Sequence, residues 1–316
     1  MGRMLNKIVR QRQQPTGRTF RLATLLTLII ILIIPGWLFA AEKKVYILTS
    51  NDSVKNTRIA EKLEQFIQNK CHSPCKHKTL IQQYDSFSNI ETQSDDLVIT
   101  LGLSVYEKSL KKEKPINWLH ALLPLQEHAD KTDSRHYYWI EQSLENQINQ
   151  IRSLSGNDKK LYILFSKDSS WRVEEIRKPS NKNLILLQVE AENIGFELKK
   201  NELKNNIVLL IPDKKLFNRN NLKQVLLTGY MNKIILVGYS KSLTMSGTAY
   251  SVATDLLSYL REIAEAADNF MTGKSLLKKQ FPKQHIIYLN QNILDSLITD
   301  GELSTKDRSD IKVVIQ

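Results

Sequence analysis

Val45-Tyr46-Ile47-Leu48-Thr49-Ser50-Asn51-Asp52 and, later in the chain, Leu161-Tyr162-Ile163-Leu164-Phe165-Ser166-Lys167-Asp168-Ser169-Ser170 share one pattern. Each is an unbroken apolar run that stops in a polar loop. An apolar run with no alternation is a strand buried on both faces, which is how strands read when helices cover both sides of a parallel sheet. The residues after each loop agree. Past the first, Asn56 to Lys70 places Ile59, Leu63, Phe66 and Ile67 at helical spacing. The rhythm then repeats. Thr79 to Ile81 is a weak strand, Leu97 to Leu101 a strong one ending at Gly102, and Val105 to Lys112 a helix with Ser104 as its expected N-cap. Ile116 to Ala121 is the next strand, and Glu141 to Leu154 is a helix stopped by Gly156-Asn157-Asp158.

The second opening starts the same series again. Asn183 to Val189, Ile207 to Ile211 and Lys233 to Val237 come next as strands, with a helix from Leu222 to Leu227. Val252 to Met271 is the strongest helical pattern, with Leu256, Leu257, Leu260, Ile263, Ala264, Ala267 and Phe270 on one face. His285 to Asn290 is a late strand, and Gln291 to Ile298 a short helix. Two strand–helix series predict an α/β protein of two Rossmann-like lobes with parallel sheets. In such sheets ligands sit beyond the carboxyl ends of the strands. That rule selects Ser50, Asn51, Asp52, Gly102, Ser104, Asp213 and Tyr239 as candidate ligand-binding residues. The simpler reading of the serines, Asn51 and Asp52 is helix capping; of Asp213, turn formation; of Tyr239, packing.

The first forty residues belong to neither series. Six basic residues and no acid precede Leu22 (Arg3, Lys7, Arg10, Arg12, Arg18, Arg21), and Leu22 to Ala41 carries no charge. Positive charge before an apolar run predicts that the chain beyond the run is translocated. Residues 1–41 are thus a hydrophobic leader. Pro35-Gly36 and Ala40-Ala41-Glu42 resemble the end of a signal peptide, but neither Leu38 nor Phe39 is the small residue cleavage prefers, so cleaved signal and retained anchor both stand. The expected compartment is the periplasm, with residues 22–41 the anchor if they are retained. Of 45 Lys and Arg, 39 lie beyond the leader against 33 Asp and Glu. The surplus is scattered rather than striped with aromatics, which argues against a nucleic-acid partner.

Cys71 and Cys75, the only cysteines, sit in Cys71-His72-Ser73-Pro74-Cys75-Lys76-His77. In an exported chain this spacing is expected to close a small disulfide loop; free thiols and a zinc site using His72 and His77 are the alternatives. The chain has no His-Glu-x-x-His, P-loop, Gly-x-Ser-x-Gly or Gly-x-Gly-x-x-Gly pattern. Neither an enzyme nor a cofactor is expected.

Four pieces in order carry a family resemblance. They are IVLLIPDKKLFN (Ile207 to Asn218), KIILVGYSKSLTMSGTAYSV (Lys233 to Val252), DLLSYLREIAEAADNFMTGK (Asp255 to Lys274) and IIYLNQNILDSL (Ile286 to Leu297). Together they resemble the C-terminal half of the substrate-binding proteins of ABC transporters that have the type I periplasmic-binding-protein architecture. The first lobe resembles that family in its strand rhythm only, with Leu103 where the family tends to carry Thr. The resemblance implies a first lobe of residues 42–155 completed by a helix at 249–273, and a second of 156–245 completed by 284–316. It implies chain crossings near Ser153 to Asp158, Lys241 to Thr248 and Lys274 to Gln284. It also implies a small-molecule ligand held between the lobes and an ABC permease of the inner membrane as partner.

Overall fold

A computed structural model describes residues 43–50, 54–70, 77–87, 91–111, 116–125, 135–176, 183–297, 303 and 308–314. The leader, Asn51, Asp52 and both cysteines lie outside the described residues, as do the expectations that fall on them. Among the described residues no helix is long and apolar enough to cross a membrane.

The first apolar run is β1 (Lys43–Thr49). Its side chains alternate between two cores. Val45 and Ile47 pack with α1 (Val54–Lys70), while Tyr46 and Leu48 pack with Phe87, Val105 and Trp118 on the other face. Around it lie β2 (His77–Gln83), β3 (Leu97–Leu101), β4 (Asn117–Leu123) and β5 (Arg135–Trp139). With β11 (Lys279–Gln280) they form a sheet of order β11-β5-β4-β3-β1-β2, parallel at every pairing.

The second run repeats the arrangement as β6 (Leu161–Phe165). Leu161, Ile163 and Phe165 enter one core, and Tyr162 and Leu164 the other. Beside it lie β7 (Leu184–Gln188), β8 (Ile207–Leu210), β9 (Ile235–Gly238), β10 (Tyr250–Thr254), β12 (His285–Asn290) and β13 (Ile311–Val314). The sheet they form has the order β13-β12-β10-β9-β8-β6-β7. Here the expectation of parallel sheets is corrected at one place. β10 and β12 run antiparallel, with Thr254 opposite His285, because the chain leaves the second lobe at the end of β10 and, after its passage through the first lobe, re-enters at that same end.

Three boundaries also differ from expectation. Residues 144–155 form α2 (Leu144–Ser155), whose Ile148, Ile151 and Leu154 pack in the core of the second lobe rather than the first. The crossing therefore falls near Ile140 to Ser143, before the helix and not after it. Lys241 to Thr248 is not a crossing; Lys241–Ser246 is a helical turn inside the second lobe. Ala249, Tyr250 and Val252 bury their side chains in the second core, so the chain leaves that lobe only after Thr254. The helix expected from Val252 starts at Leu256 instead, behind Asp255, whose carboxylate accepts from the Ser258 amide at 3.3 Å. This helix, α3 (Leu256–Met271), returns to the first lobe and packs Tyr259, Leu260, Ile263, Ala264 and Ala267 beside β1 and α1. Residues 43–316 form one compact unit. The buried clusters of both sheets lie inside it, so this body has a complete core of its own.

Candidate functional site

Three chain segments join the lobes, and one side chain binds all three. Gln142, 5% exposed, donates its amide to the Gln284 carbonyl at 2.8 Å and to the Thr254 hydroxyl at 3.3 Å. Thr254 in turn donates to the Ile140 carbonyl. Ile140 to Gln142 comes after β5, Thr254 ends β10, and Gln284 precedes β12. The crossings thus form a hydrogen-bonded hinge.

Each sheet has a point where strand order reverses, and the loops there diverge. In the first sheet it lies between β1 and β3, where Ser50, Gly102 and Ser104 stand. Ser50 is half-buried after β1. Gly102 has φ +93°, a conformation that favours glycine, and its amide donates to the Ala121 carbonyl at 2.9 Å. Gly102, not Ser104, is the N-cap of the helix Leu103–Ser109, and no side chain caps it. Ser104 is exposed in the first turn instead.

In the second sheet the reversal lies between β6 and β8. Asp213, 5% exposed, closes it from within. One carboxylate oxygen accepts from the Lys215 and Leu216 amides at 2.9 and 3.0 Å. The other accepts from the Ser166 amide at 2.8 Å and from the Ser169 hydroxyl. Burial raises the acid's pKa, but these hydrogen bonds outweigh it and hold the carboxyl below its ordinary range. The loops after β6 and β8 are therefore stapled together by Asp213, whose oxygens are already engaged.

Between the lobes the structure adds residues that no motif marked. Arg172, in the 3₁₀ segment Lys167–Ile176 after β6, donates to Glu141 at 2.6 Å and to the Leu125 carbonyl at 3.2 Å. Glu141 also accepts from the Leu125 amide at 3.2 Å. Leu125 lies just past β4 of the first sheet, so the guanidinium ties the second lobe to the first. Both side chains are little exposed, 12% for Arg172 and 13% for Glu141. The guanidinium also lies over the Trp171 ring, 4.7 Å from its centroid. Tyr239, half-buried at the end of β9, lies in the same field. Burial, Glu141 and Asp213 raise its pKa against the opposing Arg172, so its hydroxyl keeps its proton. The structure thus gathers Tyr239, Asp213, Arg172 and Glu141 on one side. It leaves Ser50, Gly102 and Ser104 at the ends of β1 and β3.

No family model matches the sequence, and no curated protein matches it. Solved structures do. A substrate binding protein with adhesive properties from Clostridium difficile, in its ligand-free open form, aligns with TM-score 0.64 over 86% of this chain and 99% of that one, at 12% identity. A conserved domain protein from Vibrio cholerae aligns with TM-score 0.50 over 83% and 97%, at 11% identity. The architecture is that of type I periplasmic binding proteins: two α/β lobes, mostly parallel sheets and three crossings. The fold is therefore the one implied by the four sequence pieces from Ile207 to Leu297.

Proposed function

We propose that this chain is an exported solute-binding protein that captures a small molecule between its lobes and passes it to an ABC-type permease in the inner membrane. The observation that carries the reading is the hinge: three crossings held by Gln142, with strand-end loops of both sheets beyond it. Such a hinge lets lobes close on a ligand while each core stays intact. Ser50, Asn51, Asp52, Gly102, Ser104, Asp213 and Tyr239 are the proposed surroundings of the ligand, Asp213 acting by holding its loops rather than by direct contact. Arg172 and Trp171 join them. A ligand that offers an anionic group to Arg172 competes with Glu141 for it. The likeness to a substrate binding protein in ligand-free open form supports a binding role rather than catalysis, and the charge pattern of residues 1–41 supports export to the periplasm.

A second reading, an envelope accessory or sensory protein with the same fold, is favoured by one observation. Arg172, Glu141 and Asp213 are held by each other, by the backbone or by Ser169, so these three are already engaged before a solute arrives. Thermal-shift screening of residues 42–316 against amino acids, nucleosides, sugars and metal chelates separates the two. The transport reading expects one class to raise the melting temperature, and less so in Arg172→Ala and Tyr239→Phe. A broad screen without any shift favours the accessory reading.

A further inference from the structure

Between β5 and α3 the first lobe carries a concavity of about 190 Å³, beside the crossing that leads from β11 to β12. Its walls are Tyr138 of β5, Glu262, Glu265 and Ala266 of α3, and Leu276 and Leu277 of the chain that returns to β11. A space near 150 Å³ already admits a small ring, so this one suits a ligand of a few heavy atoms.

Tyr138 is only 4% exposed, and its ring meets Tyr259 edge-on at 6.4 Å. Its backbone carbonyl accepts from the Tyr259 hydroxyl at 2.8 Å. Tyr138 lines the pocket, and among the described residues its hydroxyl makes no hydrogen bond. Glu262 and Glu265 stand three residues apart on one helix face beside it, and their charges, added to burial, drive the phenol's pKa up. Glu262 accepts from the Lys283 amide at 3.1 and 3.2 Å, yet burial still raises its pKa above the usual carboxylate range. Glu265 forms no ion pair among the described residues. The nearby Lys274 ammonium is engaged by the Asn269 side chain at 2.9 Å; Lys283 stands at the rim.

We propose that this pocket binds a small free alkylammonium compound, its ammonium between Tyr138 and the two glutamates and its stem against Ala266, Leu276 and Leu277. The two carboxylates outnumber the single Lys283 ammonium of the lining, the Tyr138 oxygen can accept, and Ala266, Leu276 and Leu277 are aliphatic. A divalent metal is a poorer fit, since the described residues contain no group of three or more His, Cys, Asp or Glu placed to hold one.

The test is an amide-resolved NMR titration of residues 42–316 with n-butylammonium chloride. Sodium chloride at equal ionic strength and sodium butyrate serve as controls. Saturable shifts are expected at Ala266, Asn269, Leu276 and Leu277 with butylammonium alone. Glu265→Gln is expected to weaken binding about tenfold, as loss of a charge-assisted hydrogen bond does. Tyr138→Phe is expected to weaken binding without lowering the melting temperature, because the hydroxyl makes no bond in the free protein. The proposal is overturned by the absence of saturable shifts, by shifts that either control reproduces, by shifts confined to Ser166 and Tyr239 in the cleft, by unchanged affinity in Glu265→Gln, or by a destabilised Tyr138→Phe.

Discussion

His120 is fully buried between Thr100 and Arg135, and its neighbours dictate its tautomer. Arg135 has only donors, so the ring nitrogen it meets at 3.3 Å, Nε2, accepts. Nδ1 then carries the proton and donates to the Thr100 hydroxyl at 2.8 Å. Protonation would place two N–H groups face to face. Burial, Arg135 and His136 accordingly push the pKa down to about 3. Because the folded pKa is depressed, its contribution to stability is complete above the unfolded value near 6.5 and is lost as pH falls towards 3, at no more than about 1.4 kcal/mol per pH unit. Urea titrations across that range should show this acid loss, with proton uptake on unfolding; a flat profile would contradict it. Asp213 gives a second prediction at this scale. With its depressed pKa it stabilises the fold above the ordinary carboxylate range and ceases to as pH falls below it. Asp213→Ala leaves the Ser166, Lys215 and Leu216 amides without their acceptor and should cost about 2–4 kcal/mol, measured as a fall in the urea midpoint. A loss below about 1 kcal/mol, on the order of one ordinary hydrogen bond, would show that the staple carries little. From the sequence Asp213 reads as a turn aspartate near a ligand. Its partners Ser166 and Ser169 lie far back in the chain, and only folding reveals them.

At the scale of elements, the legible parts are those whose burial repeats within a few residues. Val45 to Leu48 and Leu161 to Phe165 are buried on both faces, and their apolar runs say so directly. The face of α3 from Leu256 to Ala267 is legible for the same reason. What the sequence hides is which core an element joins. Leu144 to Ser155 has the same stripe whichever lobe it covers, and only contact of Ile148, Ile151 and Leu154 with Leu161 and Ile163 decides it. Val252 continues an apolar pattern into the helix, so periodicity merges strand and helix across the cap at Asp255. The hinge is equally invisible, because Gln142, Thr254 and Gln284 are ordinary polar residues far apart in the chain. Gln142→Ala removes the bonds from the first crossing to Gln284 and to the Thr254 hydroxyl, leaving only the Thr254 bond to Ile140, while both cores stay packed. Hydrogen exchange should then accelerate at Ile140, Thr254 and Gln284 with little change at Ile47 or Ile163. Unfolding of an entire lobe, or no change at the crossings, would deny the hinge its role.

For the whole molecule, the lobes are coupled through the hinge and through Arg172, which reaches across to Glu141 and Leu125. A ligand gripped by both lobes makes its full contacts only when they are closed, so it must shift the population towards closure. Arg172→Ala removes the one cross-lobe ion pair found among the described residues and should let the unliganded lobes sample a wider range of separations. Small-angle scattering of residues 42–316, with and without the compound that raises the melting temperature most, tests closure directly. Closure on a ligand predicts a smaller radius of gyration on binding, and the Arg172 tie predicts a larger unliganded radius in Arg172→Ala. A bound compound that leaves the radius unchanged, together with an Arg172→Ala variant as compact as the wild type, would contradict both.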